Sequence, residues 1–183
     1  YEIFYCPTRT RAGDPIGSFY GYTVEGIYQD AAEIANSPVS SNSVTPGDFK
    51  FKDINGDNKI DQDDRAVIGN PTPKGIYGFS LGLNYKGLDF GMDFQGVYGN
   101  ELYRNWGNGV NYAKLTYRSA RLNRWYGKGT SNTEPLIDDN RTRNQVSSTY
   151  MIENGSYLRI RNLQLGYTLG QSLSSKVHVK SAR

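Results

Sequence analysis

The sequence predicts an all-β fold with antiparallel strands. Three observations carry that expectation. Residues 77–94 alternate apolar and polar side chains along two arms of similar length. Tyr, with 15 residues, outnumbers Phe (7) and Trp (2) together, a bias that suits a surface apolar in body and wet at the tip. Gly reaches 21 of 183 residues, and Gly, Asn, Asp and Ser recur between the aromatic runs, so turns are frequent. One or two short helices are the most that the pattern adds.

In chain order, DPIGSFYGYTVEGIY (14–28) places Tyr20, Tyr22 and Val24 at period two and reads as an extended strand or loop edge. QDAAEIANSP (29–38) supports one short helix, stopped before Pro38. Residues 37–47 read as a loop. The acidic segment 53–64 follows, and Pro71 with Pro73 bars any helix after it.

In IYGFSLGLNY the apolar positions are Tyr77, Phe79, Leu81, Leu83 and Tyr85, with Gly78, Ser80, Gly82 and Asn84 between them. After Lys86-Gly87 the apolar set moves to even numbers: Leu88, Phe90, Met92 and Phe94, alternating with Asp89, Gly91, Asp93 and Gln95. A two-residue turn at Lys86-Gly87, with Gly where a positive φ is wanted, closes a hairpin over residues 76–96. Tyr85 then faces Leu88, Leu83 faces Phe90, Leu81 faces Met92 and Phe79 faces Phe94. The opposite face pairs Asn84 with Asp89, Gly82 with Gly91 and Ser80 with Asp93. A one-residue slip would scramble both faces. Each arm is about ten residues, the length that crosses a bilayer at a tilt. A soluble meander with one buried face uses the same alternation, so pattern alone leaves both open.

Residues 99–114 read as loop. LTYRSARLNRWYG (115–127) reads as a helix with Leu115, Leu122 and Trp125 on one side. Residues 127–150 form a long polar loop with few apolar anchors, of the kind that is functional or disordered. YLRIRNLQLGYTL (157–169) is a strand whose apolar parity changes near Arg161-Asn162, which predicts a bulge. KVHVK (176–180) begins another strand.

The net charge of +3 comes from scattered residues without a Lys/Arg run, so nucleic acid is not an expected partner. Cys6 and His178 are each the single residue of their type, which excludes an internal disulfide and Cys/His zinc spacing. No run of apolar residues is long enough for a transmembrane helix, a test to which barrel strands are invisible. The chain opens Tyr-Glu-Ile-Phe-Tyr, without Met or a leader, and reads as a start inside a longer polypeptide.

The sharpest chemical motif is DINGDNKIDQDD (53–64). Asp53, Asn55, Asp57, Asp61 and Asp64 take loop positions 1, 3, 5, 9 and 12 of a calcium loop, and Lys59 at position 7 offers its carbonyl. A hard cation needs six or more oxygens, and donors on every other residue wrap one point. Ile60 would pin the loop to neighbouring structure. Asn58 in place of Gly and Asp64 in place of Glu depart from the pattern, and no flanking helices are evident. Calcium is the expected cofactor. Catalysis finds no support: His178 sits in a Val-His-Val strand and Cys6 lacks a base partner. Tyr103, Trp106, Trp125 and Tyr126 are the loop aromatics that could stack on sugar rings or touch a partner, although packing among loops accounts for them too.

DPIGSFYGY (14–22), PGDFKFKDINGDNKIDQDDRAVIGNPTPKGIYGFSLGLNYKGLDFGMDFQGVYGN (46–100), RWYGKGTSNTEP (124–135) and NGSYLRIRNLQLGYTL (154–169) together resemble the C-terminal barrel region of SusC/RagA-like, TonB-linked (TonB-dependent) outer-membrane transporters. That resemblance implies a piece of a barrel of about 22 strands. Residues 1–183 would be a partial C-terminal portion, an antiparallel transmembrane β-barrel segment with long extracellular loops. The whole protein would be no enzyme. It would import an oligosaccharide or peptide across the outer membrane of a Gram-negative bacterium, energised by TonB and closed by a SusD-like surface lipoprotein. Membrane lipid would meet the apolar face of residues 77–94. The plug, TonB box and final strands have no counterpart in these residues. The alternative is a soluble, calcium-stabilised β-rich module that binds glycan or protein. That module would have to cover its aromatic face with another sheet from the same chain.

Overall fold

The computed structural model describes residues 7–40, 43–104, 119–137 and 142–168. In chain order these form β1 (Thr8–Arg9), β2 (Ser18–Tyr22), β3 (Val24–Ile27), α1 (Ala31–Ala35), β4 (Phe49–Phe51), β5 (Arg65–Gly69), β6 (Gly75–Tyr85), β7 (Leu88–Tyr98), β8 (Glu101–Tyr103), β9 (Ile152–Asn154) and β10 (Tyr157–Tyr167). Short 3₁₀ turns occupy Gln62–Asp64, Ser119–Asn123, Thr142–Gln145 and Thr149–Met151. The chain divides into two units, Tyr1–Pro71 with Glu101–Glu153, and Thr72–Asn100 with Asn154–Arg183.

The first unit is built from short strands around a small core. One sheet has the order β1-β2-β5, and β3-β4 and β8-β9 form separate pairs. The core is Ile27, Phe49, Phe51 and Ile60, with Tyr22, Val24, Trp125, Val146 and Tyr150 packed against it. α1 forms where expected: the Asp30 side chain caps it by accepting from the Glu33 N–H at 2.8 Å, and it ends before Pro38. The strands at β4, β5, β8 and β9 escaped the sequence because they run only three to five residues, too short for a period to register.

Residues 124–136 are held by hydrogen bonds to distant groups together with one apolar anchor, Trp125, which packs against the core. Asn132 Oδ1 accepts from the Ile27 N–H at 2.9 Å. The Gln29 amide joins both sides: its Nε2 donates to the Ser131 carbonyl, and its Oε1 accepts from Trp125 Nε1 and the Gly129 N–H. The Leu136 N–H donates to the Gly47 carbonyl at 3.0 Å. These bonds occupy edge groups that would otherwise be left open. The helix expected over 115–127 reduces to the 3₁₀ turn at Ser119–Asn123, with residues 115–118 outside the described residues. Leu122 is 77% exposed while Trp125 packs inward, so the two share no face.

The second unit is a single antiparallel sheet of order β10-β7-β6. β6 and β7 pair from Gly75↔Tyr98 to Tyr85↔Leu88 without a break, in the register that parity requires. Lys86 (φ 48°) and Gly87 (φ 86°) are both left-handed, as a type I′ hairpin turn demands. β10 pairs along β7 from Tyr157↔Val97 to Tyr167↔Leu88, with its register shifting between Ile160 and Asn162. That bulge is the expected one, and it does structural service. It skips Arg161, so Ile160 aligns with Phe94 while Leu163, Leu165 and Tyr167 align with Met92, Phe90 and Leu88. Both halves of β10 thus present their apolar residues on one face.

Candidate functional site

The three-stranded sheet presents two chemically opposite faces, built row by row from the pairing. On one side lie Phe79–Phe94–Ile160, Leu81–Met92–Leu163, Leu83–Phe90–Leu165 and Tyr85–Leu88–Tyr167. The Phe79 and Phe94 rings stack at 4.2 Å between centroids. This face is not a core. Phe79 is 54% exposed, Leu163 61% and Leu165 71%. The covering sheet that a soluble module requires is therefore not supplied by the described residues.

Tyrosines bracket that face. Tyr85 and Tyr167 stand at the turn end, and Tyr77 and Tyr98 at the other, with ring centroids 6.4 Å apart. The Tyr77 ring lies across Gly96, where a methyl group would fall inside it. From Tyr77 to Tyr85 the strand runs roughly 27 Å at its usual rise. Tilted by about 40°, it rises roughly 21 Å between the tyrosines, and their rings extend that toward the apolar band of about 25 Å that aromatic girdles flank.

The opposite face carries a hydrogen-bonded ladder. Ser80 Oγ donates to Asp93 Oδ1 at 2.6 Å, and Asn162 Nδ2 donates to Asp93 Oδ2 at 3.2 Å. One row further, Arg159 donates to Gln95 Oε1 at 3.2 Å. Toward the turn, the next row is Gly82, Gly91 and Gln164, and the one after it is Asn84, Asp89 and Gly166. Asp93 is thus tied into a ladder that spans all three strands.

The acidic loop is closed by its own backbone. Asp53 accepts from the N–H groups of Gly56 (2.7 Å) and Asn58 (2.9 Å), Asn55 from Asp57 and Asp57 from Lys59. Asn58 takes φ 65°, the left-handed shape expected at position 6. Ile60 is 4% exposed and joins the core, so it pins the loop as the motif requires. Asp61 and Asp64 form a capping box, and Asp64 accepts from the Ile54 and Asp61 N–H groups at 2.8 Å each. Burial is the largest influence on the Asp64 carboxyl and would raise its pKa. The N–H groups of Asp61, Ile54 and Asn55 together outweigh it and hold the pKa below the ordinary value. The donor types suit a hard cation, with Asn55 and the Lys59 carbonyl among them; among the described residues no three His, Cys, Asp or Glu side chains form a metal-holding group.

The loop aromatics divide. Tyr103 stacks on Phe19 at 5.6 Å, and its hydroxyl donates to the Met151 sulfur. Trp125 lies against Gly47 so closely that a methyl there would stand 2.7 Å from Cε3. Both are used for packing. Tyr126 is 71% exposed. Trp106, Cys6, His178 and the strand expected at 176–180 lie outside the described residues. Sequence reasoning placed Ser80 opposite Asp93, as the structure has it, but missed Asn162 as the third member of the ladder, and Arg104. Arg104 is 5% exposed, donates to the Tyr150 carbonyl at 2.7 Å and lies over the Tyr150 ring. The ladder had a signal in the strand parities, but only the partner of β10 makes it readable.

No helix among the described residues is long and apolar enough to cross a membrane, which leaves crossing by strands untouched. No family model matches the chain. Over 180 residues it is 33% identical to TonB-dependent receptor P3 of Formosa agariphila, covering 94% of this chain and 17% of that receptor. TonB-dependent receptor P26 of the same organism is 30% identical over 177 residues, 96% of this chain and 18% of the receptor. TonB-dependent receptor SusC of Bacteroides thetaiotaomicron is 24% identical over 158 residues, 86% and 14%. Among solved structures, the RagAB peptide importer in its open-open state matches with a TM-score of 0.66 and 25% identity, over 95% of this chain and 18% of that one. The chain thus spans between 14% and 18% of the length of these curated relatives.

Proposed function

Because this chain belongs with the SusC/RagA-like TonB-dependent receptors, of which it is a strand-built segment, we propose that it forms part of the wall of an outer-membrane importer. The observation that carries the proposal is the sheet β6-β7-β10: exposed and apolar between tyrosines on one side, hydrogen-bonded and polar on the other. The apolar side meets lipid and the Asp93 ladder meets the lumen. The two-residue turn at Lys86-Gly87 marks the periplasmic rim, since barrels keep short turns there and long loops outside. Residues 101–153, which connect β7 to β10, are then extracellular. The complete protein takes up an oligosaccharide or peptide in a Gram-negative cell, driven by TonB and capped by a SusD-like surface lipoprotein. Likeness to SusC and to the RagAB peptide importer supports that reading.

The test uses the intact protein in membranes, with Cys6→Ser and single cysteines at Leu165 or Gln164. A bilayer-embedded thiol probe should label position 165, and a water-soluble probe position 164. The reverse pattern, or extraction of the protein without detergent, defeats the proposal. Uptake of labelled oligosaccharide or peptide, compared between cells with and without TonB, decides the substrate class.

We also propose calcium for the loop 53–64, with Asp53, Asn55, Asp57, Asp61 and Asp64 as side-chain donors and Lys59 giving its carbonyl. Support comes from their spacing and the Ile60 anchor. Binding would exchange backbone hydrogen bonds for ion contacts. Calcium should raise the melting temperature and a chelator should reverse the rise; an unmoved transition removes the ion from the account.

A further inference from the structure

Asn55 precedes Gly56 on the exposed side of the acidic loop. The local backbone holds the groups that a spontaneous side-chain reaction needs. Gly56 has no side chain to shield its amide nitrogen, and it takes φ 78°. Its N–H donates to Asp53 Oδ1 at 2.7 Å. The Asp57 N–H donates to Asn55 Oδ1 at 2.9 Å.

We propose that Asn55 is a deamidation site whose own loop promotes the reaction. The Gly56 nitrogen attacks Asn55 Cγ, and its proton passes to the Asp53 carboxylate. Negative charge growing on Asn55 Oδ1 is met by the Asp57 N–H already aimed at it. The Cγ–Nδ2 bond breaks, and Nδ2 departs with that proton as ammonia. Water then opens the five-membered imide at either carbonyl, leaving aspartate or isoaspartate at position 55. The reaction needs no oxidant or cofactor. Aspartate adds a negative charge to the loop. Isoaspartate inserts a backbone atom before Gly56 and pulls the Gly56 and Asn58 N–H groups away from Asp53.

The chain supplies its own comparison in Asn154-Gly155. There too a backbone N–H meets the side-chain oxygen, Ser156 donating to Asn154 Oδ1 at 2.9 Å. The Gly155 N–H, however, donates to the neutral carbonyl of Asn100 at 3.0 Å. The oxyanion donor is shared by the two sites, whereas the carboxylate base is present only at Asn55.

The reaction belongs to the loop without bound ion, so the intact, detergent-extracted protein is aged in neutral, calcium-free buffer with a chelator at body temperature and then digested with trypsin. Cleavage after Lys52 and Lys59 releases residues 53–59, and cleavage after Arg143 and Arg159 releases residues 144–159. Located by fragment ions to Asn55 rather than Asn58 and to Asn154 rather than Asn144, the one-dalton gain should appear in peptide 53–59 roughly tenfold faster than in 144–159, and faster than in free peptide 53–59 aged alongside. Asp53→Ser keeps an acceptor but removes the carboxylate, and should drop Asn55 to the free-peptide rate while Asn154 is unchanged. Conversion of Asn55 no faster than Asn154, or no faster than the free peptide, overturns the proposal without reference to any variant. An undiminished rate in Asp53→Ser overturns the role of the base.

Discussion

The two units handle apolar side chains in opposite ways. In the first, Ile27, Phe49, Phe51 and Ile60 are each under a tenth exposed and touch one another. In the second, Phe79, Leu83, Ile160, Leu163 and Leu165 are each more than half exposed, yet they stand in ordered rows. Burial in a small core rewards convergence. A lipid-facing wall rewards only that each side chain points outward, with the backbone satisfied by neighbouring strands. The first unit therefore depends on contacts between distant segments, and the second on register.

The sharpest way to break this contrast is to insert one alanine between Leu163 and Gln164. The insertion would turn Leu165 and Tyr167 toward the polar face, because a one-residue slip exchanges the faces, whereas loss of Arg161, the extra residue of the bulge, would leave every pairing intact. Assembly into the outer membrane should be abolished, read as loss of the heat-modifiable folded band on a gel. Normal assembly would mean that register does not govern this sheet.

Phe49→Ala attacks the other unit. A buried Phe truncated to Ala costs about 3–5 kcal/mol. Amide exchange at Ile27 and Phe51 should accelerate while the β6-β7 amides stay protected. Equal acceleration in both units would erase the distinction drawn between them.

Leu81→Arg places a charge near the middle of the apolar band, at a cost of about 2–4 kcal/mol, whereas Gln164→Arg on the polar face should change stability by less than about 0.5 kcal/mol. Urea titration of the protein folded into vesicles separates the two. If both substitutions behave alike, the sheet does not have one lipid face and one wet face.

Asp64→Ala would leave the N–H groups of Ile54 and Asp61 without their acceptor, a loss of about 1 kcal/mol in the first unit because both donors can reach water. The pH dependence has a defined sign. The folded pKa of Asp64 is lowered, so its contribution is present above the unfolded carboxylate value of about 3.9 and fades as pH falls through the folded value. Acid melting curves should differ between the native protein and Asp64→Asn above that range and converge below it. The smallest effect is expected at the surface: Lys128→Ala breaks the 2.6 Å pair with Asp30 and should leave the melting temperature where it was.

What the sequence determined by itself was the sheet and its faces. Alternation at period two is a local property, and a two-residue turn with Gly87 permits one pairing of the arms, so the register from Phe79↔Phe94 to Tyr85↔Leu88 was legible before any coordinates. The parity change in β10 likewise announced its bulge, and the spacing of Ile60 within the acidic loop announced its anchor.

Tertiary structure alone decided which strand β10 joins, and with it that Asn162 completes the ladder begun by Ser80 and Asp93. It also decided that Tyr103 and Trp125 are used for packing, and that residues 124–136 are ordered by bonds such as Asn132 to Ile27, across 105 positions of sequence. Such contacts leave no trace in the chain because a single amide meeting a distant backbone group has no period and no composition. Repetition along one strand can be read from a sequence, whereas a lone polar contact exists only once the two ends have met.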